Sequence, residues 1–203
     1  VPSFAPGTLV AHRYRVVRFI ARGGMGEVYE VEDLELRERV ALKTVRADVA
    51  HDETTIERFR REIQLARRVT HPNVCRIFDV AHHRPEGNAD GIIFLTMELL
   101  PGETLAERLR RTGPLSPDAA LPIVRQIAGA LHAAHQVGVV HRDLKPGNVI
   151  LVEGRAGVRS VVTDFGLARR ERGEDPQGVS LAGAAGVVGT PAYLAPEQIE
   201  GKE

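Results

Sequence analysis

Short apolar runs separated by polar breaks fill the first hundred positions. Arg13 to Ile20 carries Tyr14, Val16, Val17, Phe19 and Ile20, and reads as a strand. Glu27 to Val31 and Val40 to Val45 have the same character. Between the first two lies Ala21-Arg22-Gly23-Gly24-Met25-Gly26, a glycine-rich turn. The three runs therefore predict an antiparallel meander with a tight glycine tip. The period then changes. Ile56, Phe59, Ile63 and Ala66 recur at helical spacing between Asp52 and Val69, with Arg60, Arg61, Arg67 and Arg68 on the other faces. Thr70-His71-Pro72-Asn73 stops that helix. Val74 to Val80 and Ile92 to Leu100 predict two more strands, joined by a polar loop from His82 to Gly91 that leaves His82 and His83 solvated. Residues Val1 to Thr8, with Pro2, Pro6 and Gly7, read as an extended lead-in.

From Pro101 the pattern is mainly helical. Leu105 to Arg111 predicts a short helix. Ser116 as N-cap and Pro117 at the first helical position start a longer one, which ends at Gly138. Leu121, Val124, Ile127, Ala128 and Leu131 read as its apolar face; His132 and His135 read as packing or surface. Val149 to Val152 and Val158 to Thr163 are strand-like, with a hairpin-like turn from Gly154 to Gly157. Ala168 to Gly189 has no periodic pattern, and loops longer than about 15 residues are usually functional or disordered.

Composition narrows the class. Formal net charge is zero over 203 residues, which argues against a nucleic-acid footprint. No apolar run approaches the roughly 20 residues that span a bilayer, and no signal-peptide pattern opens the chain. The one cysteine, Cys75, flanked by Val74 and Ile77, reads as a buried small hydrophobe in a reducing compartment. Three lysines stand against 24 arginines. Two of the three, Lys43 and Lys145, fall inside motifs, where a compact charge on a flexible stem differs from a guanidinium.

His141-Arg142-Asp143-Leu144-Lys145-Pro146-Gly147-Asn148 places a carboxylate, an ammonium and a carboxamide in one short loop between apolar runs. Alone it could be a turn with solvated charges. Glycines at a hairpin tip let backbone N–H groups approach phosphate, because no Cβ intervenes. Lys43, inside an apolar strand, needs a counter-charge, and Glu62 on the following helix offers one. Asp143 can accept a proton from a hydroxyl, and Asn148 and Asp164 supply hard oxygens of the kind Mg2+ takes. With a nucleotide, these parts suit in-line phosphoryl transfer.

The ordered set resembles the eukaryotic-type serine/threonine protein kinases, most closely in the phrasing of bacterial members. Gly23, Gly26 and Val28 sit in the glycine-loop pattern, and Val40-Ala41-Leu42-Lys43 in the third-strand lysine motif. Glu62 occupies the slot of the helix-C glutamate. His141-Arg142-Asp143 with Asn148 matches the catalytic loop, Asp164-Phe165-Gly166 the magnesium motif, and Ala195-Pro196-Glu197 the end of the activation segment. Lys145, together with Gly189-Thr190-Pro191, resembles the serine/threonine class. Ala21 departs from the pattern, standing where a first glycine is usual.

The resemblance implies an α+β, bilobal kinase-like fold. Residues 1–98 would form a nucleotide-binding lobe with a five-stranded antiparallel sheet and helix C. Residues 99–203 would form part of a mainly helical lobe. It implies ATP and Mg2+ (or Mn2+) as cofactors and a protein substrate with a serine or threonine acceptor, with self-association for trans-autophosphorylation compatible with it. Ile20, Ala21, Arg22, Gly23, Gly24, Met25, Gly26, Val28, Ala41, Lys43, Met97, Glu98, Leu100 and Ile150 would hold ATP. Asp143, Lys145, Lys43 and Glu62 would be catalytic, and Asn148 and Asp164 would hold metal. Arg142, Ser180 and Thr190 would serve regulation and substrate positioning, Ser180 as the activation-loop phosphosite. His141, Phe165, Ile77 and Ala66 would stack as a spine. The catalytic domain would be cytoplasmic, with any membrane anchor in later segments. The family's later helices would follow Glu203, so this stretch alone is expected to be marginally stable or inactive. A nucleotide-binding pseudokinase scaffold is the rival reading; it predicts loss of a polar catalytic residue, and all are present.

Overall fold

The alternating runs at the start of the chain become a six-stranded antiparallel sheet. The computed structural model describes residues 2–23, 26–45, 53–84, 91–155, 157–165 and 191–196. The chain divides into two compact units, Val1–Arg68 with Cys75–Pro101, and Val69–Val74 with Gly102–Glu203.

In the first unit the strands are β1 (Leu9–Val10), β2 (Tyr14–Gly23), β3 (Gly26–Asp33), β4 (Glu38–Thr44), β5 (Ile77–His83) and β6 (Ile92–Met97), in the order β1-β2-β3-β4-β6-β5. The five expected strands are all present. β1 adds a two-residue edge, too short to show a period. Helix α1 (Glu53–Ala66) buries Ile63 and Ala66. One sheet face carries the core, in which Tyr14, Val16, Tyr29, Val31, Leu42 and Phe94 pack together.

Phe4 belongs to this core as well, so the lead-in is packed rather than merely extended. Burying such a ring contributes about 1.5–3 kcal/mol. The expected loop at His82 and His83 is also corrected, since both lie in β5. His83 Nδ1 accepts the Ala11 N–H at 3.1 Å, and its ring meets Phe4 edge-on. His82 Nε2 lies 2.8 Å from the Arg60 guanidinium. Burial lowers the pKa of both imidazoles; His83 packs as a half-buried neutral ring, whereas His82 is exposed, as expected.

The second unit holds α2 (Leu105–Thr112), α3 (Pro117–Gln136) and a three-stranded sheet, β7 (Glu103–Thr104), β8 (Val149–Gly154) and β9 (Gly157–Val162). Thr104 and Glu107 cap α2 reciprocally. Ser116 accepts the Ala119 N–H at the start of α3, with Pro117 in the first turn. The apolar face read for α3 holds at Ile127 and Leu131, which pack against the core, and needs correction elsewhere. Ile123, Ala130 and Ala134 are its buried residues, while Leu121 and Val124 are 49% and 58% exposed. The helix carries two apolar stripes at the same spacing, and periodicity alone does not choose between them. The segment 69–74 joins this unit through Asn73. Its Nδ2 donates to Gln126 Oε1 at 2.7 Å and to the Ser160 carbonyl at 2.8 Å, and its carbonyl accepts the Val162 N–H.

Candidate active site

The loop 141–148 is held by its own polar side chains. Pro146–Asn148 forms a single 3-10 turn, which a proline can start because its missing N–H is not needed there. Asp143 has a side chain only 9% exposed, and Lys145 Nζ lies 2.7 Å from its Oδ2. Asn148 Nδ2 donates to the Asp143 carbonyl at 2.8 Å and to Oδ2 at 3.3 Å. Nδ2 therefore faces Asp143, and Oδ1 is the end that remains for a hard cation.

A deeper anchor fixes this loop to β9. His141 is 2% exposed, and its Nε2–H donates to the Thr163 carbonyl at 2.8 Å. Its Nδ1 accepts the Asp143 N–H at 3.3 Å. Burial lowers the pKa of this imidazole, with the Thr163 carbonyl opposing, so the ring is neutral and its two nitrogens have distinct jobs. Thr163 returns the contact by donating its N–H to the Asn148 carbonyl at 2.9 Å. The His141 ring packs on Phe165 at 4.8 Å between centroids, and Phe165 is buried among Val74, Ala134 and Val162.

Two residues here have left-handed backbone: Arg142 at φ 66° and Asp164 at φ 63°. Non-glycine residues rarely adopt this conformation, and it tends to persist at functional positions. Asn148 and Asp164 are one carboxamide and one carboxylate. Among the described residues no group of three or more His, Cys, Asp or Glu side chains converges on a point. That donor set fits Mg2+, which takes one or two protein oxygens and completes its shell with phosphates and water.

In the first unit, strand register assembles a second set. Val28 lies opposite Lys43 and Ala21 opposite Val28; Ala41 lies opposite Met97. Cross-strand partners share a face, so Ala21, Val28, Ala41, Lys43 and Met97 line one side of the sheet. The core occupies the other side. Lys43 is 6% exposed. Glu62 is half-buried on α1, and Ile20, Arg22 and Gly23 are exposed along the end of β2. Gly26 has φ +144°, and a Cβ there would lie 1.9 Å from the Thr44 carbonyl oxygen, so only glycine fits. The Glu98 N–H donates to the Arg76 carbonyl at 2.9 Å, and its carbonyl accepts the buried Cys75 thiol at 3.9 Å. Leu100 is half-buried beyond it, and Ile150 is half-buried on β8 in the second unit. Ile77 and Ala66 lie in the first unit, half-buried and buried, and Cys75 is buried.

Gly24, Met25, Gly166, Ser180, Thr190 and Glu197 lie outside the described residues. Sequence reading missed Glu27, Tyr29, Thr44 and Thr163. Glu27 and Tyr29 had one available signal, a spacing of two on a strand that puts both on the core face beside the glycines.

Both sets fall in one family. The chain matches the protein kinase domain over residues 14–203 and belongs to that family. It is 40% identical to serine/threonine-protein kinase pkn3 of Myxococcus xanthus over 97% of this chain and 35% of that protein. To PrkC of Bacillus subtilis it is 40% identical over 96% of this chain and 28% of that one. The chain thus spans about a third of the length of these curated relatives. Among solved structures, the Mycobacterium tuberculosis PknI kinase domain superposes with a TM-score of 0.74 at 30% identity, covering 99% of this chain and 68% of that one.

Proposed function

We propose that this chain carries ATP-dependent phosphorylation of serine or threonine hydroxyls on protein substrates. The observation that carries the reading is the Asp143 carboxylate, nearly buried and gripped on Oδ2 by Lys145 and Asn148. That grip on Oδ2 would leave Oδ1 to accept the proton of an incoming hydroxyl. Lys145 would follow the transferred phosphoryl group. Asn148 Oδ1 and the Asp164 carboxylate would hold Mg2+, which when bound neutralises charge on the phosphates. The first unit would supply the nucleotide-binding groups: the Gly23–Gly26 hairpin backbone for phosphates, Lys43 with Glu62 as counter-charge, and Val28, Ala41 and Met97 against the adenine. Main-chain groups of Glu98 and Leu100 would read its edge, with Ile150 completing the set.

The relatives' names and Lys145 support the serine/threonine class. Exposed Arg142 beside Asp143 is suited to pair with a phosphorylated activation segment, with Ser180 as acceptor and a second copy of the chain as donor enzyme. Among the described residues no helix is long and apolar enough to cross a membrane. The test is radiolabelled phosphate transfer to a protein acceptor by the wild type and by Asp143→Asn. The expected result is transfer by the first and near-complete loss in the second.

A further inference from the structure

The lead-in segment is bonded to the root of the glycine-rich hairpin. Glu27 directly follows Gly26, and although carboxylates are rarely buried, it is 6% exposed. Its carboxylate takes the Tyr29 hydroxyl, the Ser3 N–H at 2.9 Å and the Arg22 guanidinium, whose Nε lies at 3.0 Å. The Tyr29 hydroxyl in turn accepts the Phe4 N–H at 3.1 Å. The Phe4 ring packs at 5.4 Å from Tyr29 and 5.6 Å from His83. The Glu27 main chain is fixed as well. Its N–H donates to Thr44 Oγ1 at 3.0 Å, and the same hydroxyl lies 3.4 Å from the Glu27 carbonyl.

Burial alone would push the Glu27 carboxyl up. The donors from Tyr29, Ser3 and Arg22 outweigh burial and hold it at about 2. A buried carboxylate is tolerated only when its oxygens are satisfied. Ser3 supplies one donor directly, and Phe4 orders the tyrosine that supplies another. An undocked lead-in would leave a charge short of partners one residue from the glycine tip.

We propose that Glu27 is a positioning residue for the glycine-rich hairpin, held through its carboxylate by the Tyr29 hydroxyl together with Arg22 and the docked Ser3 and Phe4 of the lead-in. This rests on the nucleotide-binding reading above. Glu27 and Tyr29 face the core side of the sheet, whereas Val28, Ala41 and Met97 share the other side. Loosening Glu27 should therefore disturb the end of the site that meets phosphates and spare the end that meets the base.

The experiment measures binding of Mg·ATP and of adenosine by calorimetry to the wild type, Glu27→Gln and Tyr29→Phe. Tyr29→Phe keeps the ring in the core and removes only the hydroxyl. Thermal unfolding is followed in parallel. Both variants should bind ATP about five- to tenfold more weakly, the scale of one hydrogen bond in affinity. Adenosine binding should change less than about twofold, and the KM for ATP should rise while kcat stays within about twofold. Folded variants with unchanged ATP affinity, or with ATP and adenosine weakened alike, would overturn the positioning role. A wild type that binds neither ligand would instead overturn the nucleotide-binding reading beneath it.

Discussion

The loop at 141–148 and the hairpin at 23–26 are both glycine-containing turns, but they are held in different ways. In the loop, Lys145 and Asn148 grip Asp143 from two and five residues away. At the hairpin, Arg22 and Tyr29 reach Glu27 from five and two residues away, but the bonds that fix Glu27 and Tyr29 from Thr44, Ser3 and Phe4 span 17 to 25 residues. A locally tied turn keeps much of its shape when the rest of the unit loosens, because its partners travel with it. A turn tied from a distance reports on the packing of the whole sheet. The loop's distant tie is to Thr163, whose carbonyl takes the His141 Nε2–H and whose N–H goes to the Asn148 carbonyl; it sets where the turn sits rather than its internal geometry.

The contrast can be broken most forcefully at Asp143. Asp143→Asn is expected to lower phosphate transfer by about 10²–10⁴-fold, with a thermal midpoint within a few degrees of wild type. A large loss of stability would show that the loop is not self-contained. Next in size is a pair of glycine substitutions. Gly26→Ala forces a Cβ against the Thr44 carbonyl at a left-handed φ and should cost about 2–3 kcal/mol in urea unfolding. At Gly147 a Cβ meets nothing within 4 Å, so Gly147→Ala should cost under about 1 kcal/mol. Equal costs would erase the distinction.

Thr44→Val keeps the shape at the hairpin root and removes its hydroxyl, and about 1–2 kcal/mol should be lost. Amide exchange should quicken at Glu27, whose N–H that hydroxyl accepts. The smallest effect is that of pH on the loop's distant tie. The folded His141 pKa is depressed by burial, so the unfolded chain binds the proton first as pH falls below about 6.5. Its contribution to stability is fully present above that pH and is lost as pH drops toward the folded pKa. Urea midpoints at pH 7.5 and pH 5.5 should differ in that direction, and by less in His141→Gln.

Locality also decides what could be read from the chain. The strands of the meander, the start of α3 at Ser116 and the grouping of Asp143, Lys145 and Asn148 were legible, because each rests on neighbours in sequence. Packing of Phe4 was not, since Pro2, Pro6 and Gly7 around it speak only of irregular backbone. His83 read as solvated because its partners, Ala11 and Phe4, are more than seventy residues earlier. On α3, Ile127 and Leu131 were read correctly, but the rest of the stripe was not. Choosing between Ile123 and Leu121 needs knowledge of β8, which packs with Ile123 through Val149 and Leu151. For Lys43, the strand and its apolar neighbours were legible, whereas its facing Val28 depends on register, which only the pairing of β3 with β4 fixes.

The strand order β1-β2-β3-β4-β6-β5 also bears on how the first unit assembles. β2, β3 and β4 pair as successive hairpins, and β5 pairs with β6 in the same way. The β4–β6 seam joins Ala41 to Met97 and Thr44 to Phe94, closing a circuit that contains α1 and β5. Loop-closure entropy leads us to expect that seam to form late, after the folding barrier. We expect Leu95→Ala, at the seam, to change chiefly the unfolding rate, and Val16→Ala, within the first hairpin, chiefly the folding rate. Stopped-flow kinetics with the reverse assignment would show that the two ribbons meet before either is formed.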